Sequence, residues 1–243
     1  MKTLFLSLLL LPALASAQTT FQLGVRGGAN LARTTLADAS NSRDQFTSYS
    51  AAKSAVFAWQ AGLAAEISFG QLALQPALVF SQKGDRFTTH SQSLDTGFPY
   101  DGHSETTSRT NWLELPLNLV YSPRRAHGLQ VLAGPYLALG VGGYQRGTAT
   151  SYYGPYVDTY PVSLDGPISY GHGSYYRRFD AGLNLGLGYR RGSAQVQLSY
   201  GLGLLNLRDA QARVMLGGQA HDYQADAARN RVLQLTGTYF FTL

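Results

Sequence analysis

From Phe21 to Leu243 the chain alternates apolar and polar positions with a period of two, in eight separate runs. The first sets Phe21, Leu23, Val25, Gly27, Ala29 and Leu31 against Gln22, Gly24, Arg26, Gly28 and Asn30. The second carries Phe57, Trp59, Ala61, Leu63, Ala65, Ile67 and Phe69 on one face, and the third Leu72, Leu74, Leu78 and Phe80. The fourth carries Leu113, Leu115, Leu117, Leu119 and Tyr121, and the fifth runs from Leu129 to Val141. Phe179 to Tyr189, Val196 to Leu204 and Leu233 to Leu243 complete the set. A helix needs apolar residues three and four apart, so this period predicts strands throughout.

The links between runs alternate as well. Gly70-Gln71, Ser122 to Gly128 and Arg190 to Ser193 read as tight turns, whereas 33–54, 84–110, 144–176 and 208–230 are long and polar. Short turns at one end and long loops at the other predict an all-β fold: an eight-stranded antiparallel up-and-down transmembrane β-barrel. An even number of strands places both termini on the short-turn, periplasmic side.

Composition decides which face meets what. Charged residues make up only 14% of the chain, against roughly a quarter in soluble domains. The polar faces are built of Gly, Ala, Gln, Asn and Ser, not the Lys and Glu of a water-washed barrel. Small residues suit the crowded interior of eight strands, so the apolar face is expected to meet lipid. Aromatics toward the strand ends, such as Phe57, Trp59, Tyr121 and Tyr189, fit interfacial girdles.

Residues 1–17 read as a cleaved signal peptide: Lys2, an apolar stretch from Leu4 to Leu14, then Ala15-Ser16-Ala17. The barrel then occupies 18–243. With no Cys there are no disulfides and no thiolate metal sites. The formal charge of +5 is spread over scattered Arg, including Arg124-Arg125 and Arg190-Arg191 in expected turns. That spread excludes a nucleic-acid surface.

Among inward positions, Arg26 and Arg178 are expected to face Glu66, Glu114 and Asp180, with Lys83 near the rim. Unpaired buried charges cost several kcal/mol, so these five form a structural ion-pair network that plugs the lumen. In the loops, His90, His103, His172 and His221 show no ligand spacing, and no metal or other cofactor is expected. Tyr152, Tyr153, Tyr156, Tyr160 and Tyr170 crowd the third long loop, the candidate recognition loop, since Tyr serves contact surfaces at low entropy cost. His172-Gly-Ser174 resembles the His-x-Ser pair of outer-membrane lipid A deacylases but lies in a Gly- and Tyr-rich loop.

Asn111-Trp-Leu-Glu-Leu-Pro-Leu117, Ala133-Gly-Pro-Tyr136, Arg178-Phe-Asp-Ala-Gly182 and Tyr200-Gly-Leu-Gly-Leu-Leu-Asn206 resemble the PorT-type outer-membrane β-barrel family of the Bacteroidetes. Gly24 to Asn30 and Thr238 to Phe241 are similar to its first and last strands. The resemblance implies an eight-stranded outer-membrane barrel. The expected function is a structural or interaction role presenting long extracellular loops, without catalysis. A narrow channel or small-hydrophobe transporter is the alternative, and a lipid-modifying barrel enzyme a third. Expected partners are outer-membrane lipid, the barrel assembly machinery during biogenesis and an unidentified envelope or extracellular partner.

Overall fold

A computed structural model describes residues 19–35, 42–43, 46–93, 99–124, 127–154, 161–171, 176–208, 213–216, 219–222 and 227–242. Eight long strands form the wall. They are β1 (Thr19–Thr34), β2 (Val56–Phe69), β3 (Leu72–Ser93), β4 (Tyr100–Tyr121), β5 (His127–Tyr153), β6 (Phe179–Arg191), β7 (Ala194–Gly203) and β8 (Asn230–Thr242). Each pairs antiparallel with its sequence neighbours, and β8 returns to β1 from Gln22↔Thr242 to Thr34↔Asn230, closing the ring.

The alternation in sequence becomes an alternation of environment. Phe57, Leu63, Leu129, Leu137, Leu187 and their like point outward and are exposed, while Asn30, Gln75, Asn118, Gln197 and Thr236 point inward and are buried. So large an apolar surface is stable only against lipid. The shortest wall strand, β7, sets the spanning height: its ten residues, tilted about 40°, rise about 25 Å.

Eight strands enclose little space, and the lumen fills with side chains. Several inward positions are Gly because neighbouring strands press close. A Cβ on Gly134 would overlap the carbonyl oxygen of Leu117, and one on Gly62 that of Leu78. Three prolines lie inside wall strands without an N–H to give. The ladders lapse beside each of them: β2–β3 at Pro76, β3–β4 at Pro116 and β4–β5 at Pro135.

The expected loops 84–110 and 144–176 are in large part sheet. β3 and β4 stay paired out to Ser93↔Tyr100, and β5 follows to Tyr153. Thr47–Ser54 adds to the β3 edge, and Val162–Ser163 and Gly166–Pro167 add to β5. Beyond Gln82 this sheet rises on the order of 30 Å past the apolar belt. Both faces are wet there, so the apolar alternation vanishes although the Thr-rich sequence keeps its strand preference. A bulge marks the change: the β4–β5 register shifts between Asn111 and Trp112, with Gly142 at φ 144° on the bulged strand. The extra residue reverses which side chains of β5 point outward.

Candidate functional site

The lumen holds two ionic levels. Toward the short turns, Glu66 on β2 accepts both Oε contacts from Arg190 Nη1 at 2.5 and 2.6 Å. Gln75 Nε2 donates to it at 2.6 Å and Ser68 Oγ at 2.8 Å. Arg190 also donates from Nη2 to Gln22 Oε1 at 2.7 Å, and its guanidinium lies 5.0 Å from the Phe240 ring. Toward the long hairpins, Lys83 pairs with Glu114 and stands 3.9 Å from Asp180. Its ammonium lies 4.8 Å from the Tyr136 ring and 5.9 Å from that of Trp112. Asp180 accepts from Asn230 at 2.8 Å and from Tyr136 at 3.1 Å.

The expected network is therefore redrawn. Glu66, Glu114, Asp180 and Arg26 are buried inside the barrel. Arg26 feels the charge of Glu114 across the lumen but makes no ion pair among the described residues. Arg178 does not join them. It is exposed, one residue before β6 begins, because the chain has already turned to bond Arg177 N–H to the Leu207 carbonyl at 2.8 Å. Its place is taken by Lys83, buried rather than at the rim, and by Arg190, which lies in β6 rather than in a turn. Parity was the signal for both. Arg190 continues Asn184, Gly186 and Gly188, and Lys83 continues Ala77, Val79 and Ser81.

Neutral amides fill the remaining space. Asn30 donates to Ser81 at 3.1 Å and accepts from Gln60 at 2.7 Å, and Gln195 donates to Gln130 at 2.6 Å. Above Lys83 an apolar cap closes the barrel, with Trp112, Tyr136, Ala138 and Leu207 packed together and Tyr170 edge-on to Trp112 at 5.3 Å. Tyr170 thus serves the cap instead of an outer surface. Tyr152 and Tyr153 are exposed on β5, Tyr153 against Tyr100 at 4.9 Å. Tyr156, Tyr160, His172 and Ser174 lie outside the described residues.

Over the cap opens a cavity of about 420 Å³, lined among others by Lys53, Asp85, Phe87, Ile168, Tyr176 and Arg208. Lys53 donates to Asp85 at 2.8 Å. Burial, together with the charge of Arg208, holds Lys53 below the usual lysine pKa in spite of Asp85. Farther along the hairpin, Asp101 accepts from Gln92 at 2.9 Å and contacts His90 at 3.0 Å. These contacts lower its pKa, the Gln92 bond most. Among the described residues no three metal-ligating side chains converge.

A closed ring with a lipid-facing apolar belt and a side-chain-filled polar lumen defines an outer-membrane β-barrel. The chain belongs to the outer membrane protein beta-barrel domain family, whose pattern matches residues 16–209. No curated protein matches it. Among solved structures it is similar to OprG of Pseudomonas aeruginosa, at 15% identity and TM-score 0.38, over 93% of this chain and 99% of that one. It is also similar to Ail, the attachment invasion locus protein of Yersinia pestis, at 11% identity and TM-score 0.36, over 91% and 99%.

Proposed function

We propose that this protein is a sealed, non-catalytic barrel of the PorT-type group that holds a β-sheet platform above the outer membrane for contact with an extracellular partner. The long hairpins face outward, and both chain ends face the periplasm. The filled lumen is the observation that carries this reading: among the described residues, two charged levels, an amide layer and an aromatic cap succeed one another along the inside of the barrel. The platform supplies what such a barrel can offer, namely exposed Tyr152 and Tyr153 and the cavity at its base. Outer-membrane lipid and the assembly machinery are the partners that any such barrel meets.

Purified protein in a planar bilayer is expected to show no discrete conductance steps. Steps that disappear on changing Glu114 to Ala would refute the sealed lumen. The cavity favours a second, narrower reading, in which a small ligand is captured there without being passed on. Capture without transport predicts saturable binding of a small amphiphile to the intact barrel and no flux into proteoliposomes.

A further inference from the structure

At the hairpin-side edge of the apolar belt the outward face changes abruptly from Leu to Arg. On β1, Leu31 is followed at the next outward position by Arg33, and on β8 Leu233 is preceded by Arg231. Arg33 and Arg231 are direct cross-strand partners. Arg229 occupies the next outward position, where its backbone oxygen accepts from Thr35 N–H at 2.8 Å. Like charges set directly opposite each other on a sheet destabilise it unless something of the other sign lies between them.

Among the described residues nothing does so. The described carboxylates are buried in the lumen (Glu66, Glu114, Asp180), held by Lys53 in the cavity above the cap (Asp85) or far along the hairpins (Asp101, Glu105, Asp165). None of them pairs with Arg33, Arg229 or Arg231. Arg231 Nη1 is held by the backbone oxygens of Gly203 and Asn230 at 2.7 and 3.0 Å, which fixes the guanidinium against the wall. Its other nitrogens have no acceptor among the described residues. Arg109, anchored on the Phe57 carbonyl at 2.8 Å, and Arg178 add two further exposed guanidinium groups to the wall.

We infer that the Arg33–Arg231–Arg229 cluster is a lipid phosphate site, taking the phosphorylated headgroup of the glycolipid that forms the outer leaflet. The chemistry fits on three counts. The position is headgroup depth, two residues beyond the last lipid-facing Leu on each strand. The cation is Arg, whose planar fork grips phosphate through two parallel hydrogen bonds. The chain also prefers Arg strongly, with 16 of its 19 basic residues being Arg. A phosphate placed between Arg33 and Arg231 would turn a repulsive pair into two charge-assisted contacts and pin the β1–β8 seam to the membrane.

The inference rests on the outward orientation proposed above, and the test separates the two. The full-length barrel in nanodiscs is titrated with bis-phosphorylated lipid A and with dephosphorylated lipid A, alongside an R33Q/R231Q variant and an R33K/R231K variant. Heat-modifiable gel migration checks that each variant is folded. The wild type is expected to bind the phosphorylated lipid about tenfold or more tightly than the double Gln variant, with the Lys variant between them. The dephosphorylated lipid should show no difference among the three. Equal binding of both lipids by the wild type, or an unchanged double Gln variant, overturns the site. Competition by inorganic phosphate at the same concentration as the lipid overturns the lipid assignment. Orientation is read independently by labelling a Ser151→Cys protein on intact cells with an impermeant reagent. Labelling only after the outer membrane is broken overturns the orientation, and with it the outer-leaflet assignment, whatever the binding shows.

Discussion

Arg190→Met tests the lumen most directly. Met matches much of the Arg stem, so the change removes the guanidinium more than the volume. It leaves Glu66 buried, with its side chain only 3% exposed, and with Gln75 and Ser68 as its remaining donors. A surface ion pair would contribute about 0–1 kcal/mol. A buried carboxylate stripped of its counter-cation costs about 3–5 kcal/mol, because its desolvation is no longer offset. The contact with Phe240 and the bonds to Gln22 and the Gly192 carbonyl vanish as well, which places Arg190→Met toward the upper end of that range. Removing the orphaned charge in an E66Q/R190M double variant should return most of the loss, since the new amide oxygen can accept from Gln75 while its NH2 donates to the Ser68 hydroxyl, which can accept as well as donate. The assay is urea unfolding in phospholipid vesicles, followed by tryptophan fluorescence and closed as a double-mutant cycle. If R190M falls within about 1 kcal/mol of the wild type, Glu66 is not the dry, charge-paired centre described here.

Other perturbations probe the wall, the cap and the cavity. Gly134→Val drives a side chain into the Leu117 carbonyl and the Asn118 backbone. It should cost about 3 kcal/mol or more and abolish the heat-modifiable band shift, whereas Val at Gly237, where a Cβ meets nothing within 4 Å, should leave the shift intact. Tyr170→Ala in a Trp59→Phe background strips the cap from Trp112. Its emission should move to the red as water reaches the indole, and an unchanged spectrum would place Tyr170 elsewhere. For Lys53 the lowered pKa means that the folded state releases its proton before the unfolded chain does. Between that lowered value and the ordinary lysine value the unfolded state binds more protons, so stability rises with pH. Unfolding midpoints should climb through this alkaline window in the wild type and climb less in Lys53→Met.

Much of the wall was legible because a membrane barrel has to alternate. Every outward position from Phe21 to Leu31 and from Leu113 to Tyr121 follows from parity alone. The hairpin extensions were not legible, because strands with water on both sides lose the hydrophobic contrast that parity reads. Thr47 to Ser54 and Thr106 to Thr110 look like loop and are sheet. Inside the lumen, parity places Glu66, Glu114 and Asp180, but partners are chosen by the barrel's stagger, which one strand's sequence does not carry. Glu66 and Arg190 are 124 positions apart. Arg190 hides beside Arg191 and Gly192, where charge next to glycine imitates a turn. Arg178 shows the reverse error: its parity is right, but the strand begins one residue too late to carry it inward.

The three proline lapses divide the wall unequally. They fall on consecutive ladders, β2–β3, β3–β4 and β4–β5, while the ladders on the far side, from β5–β6 round through β8–β1 to β1–β2, run without a break. The two ends of the chain therefore meet along a continuous zipper, and the compliance of the cylinder lies opposite its closure. A thermal or osmotic stress would open breathing gaps in the flank that carries the tall hairpins. The seam where the first strand clasps the last would stay shut.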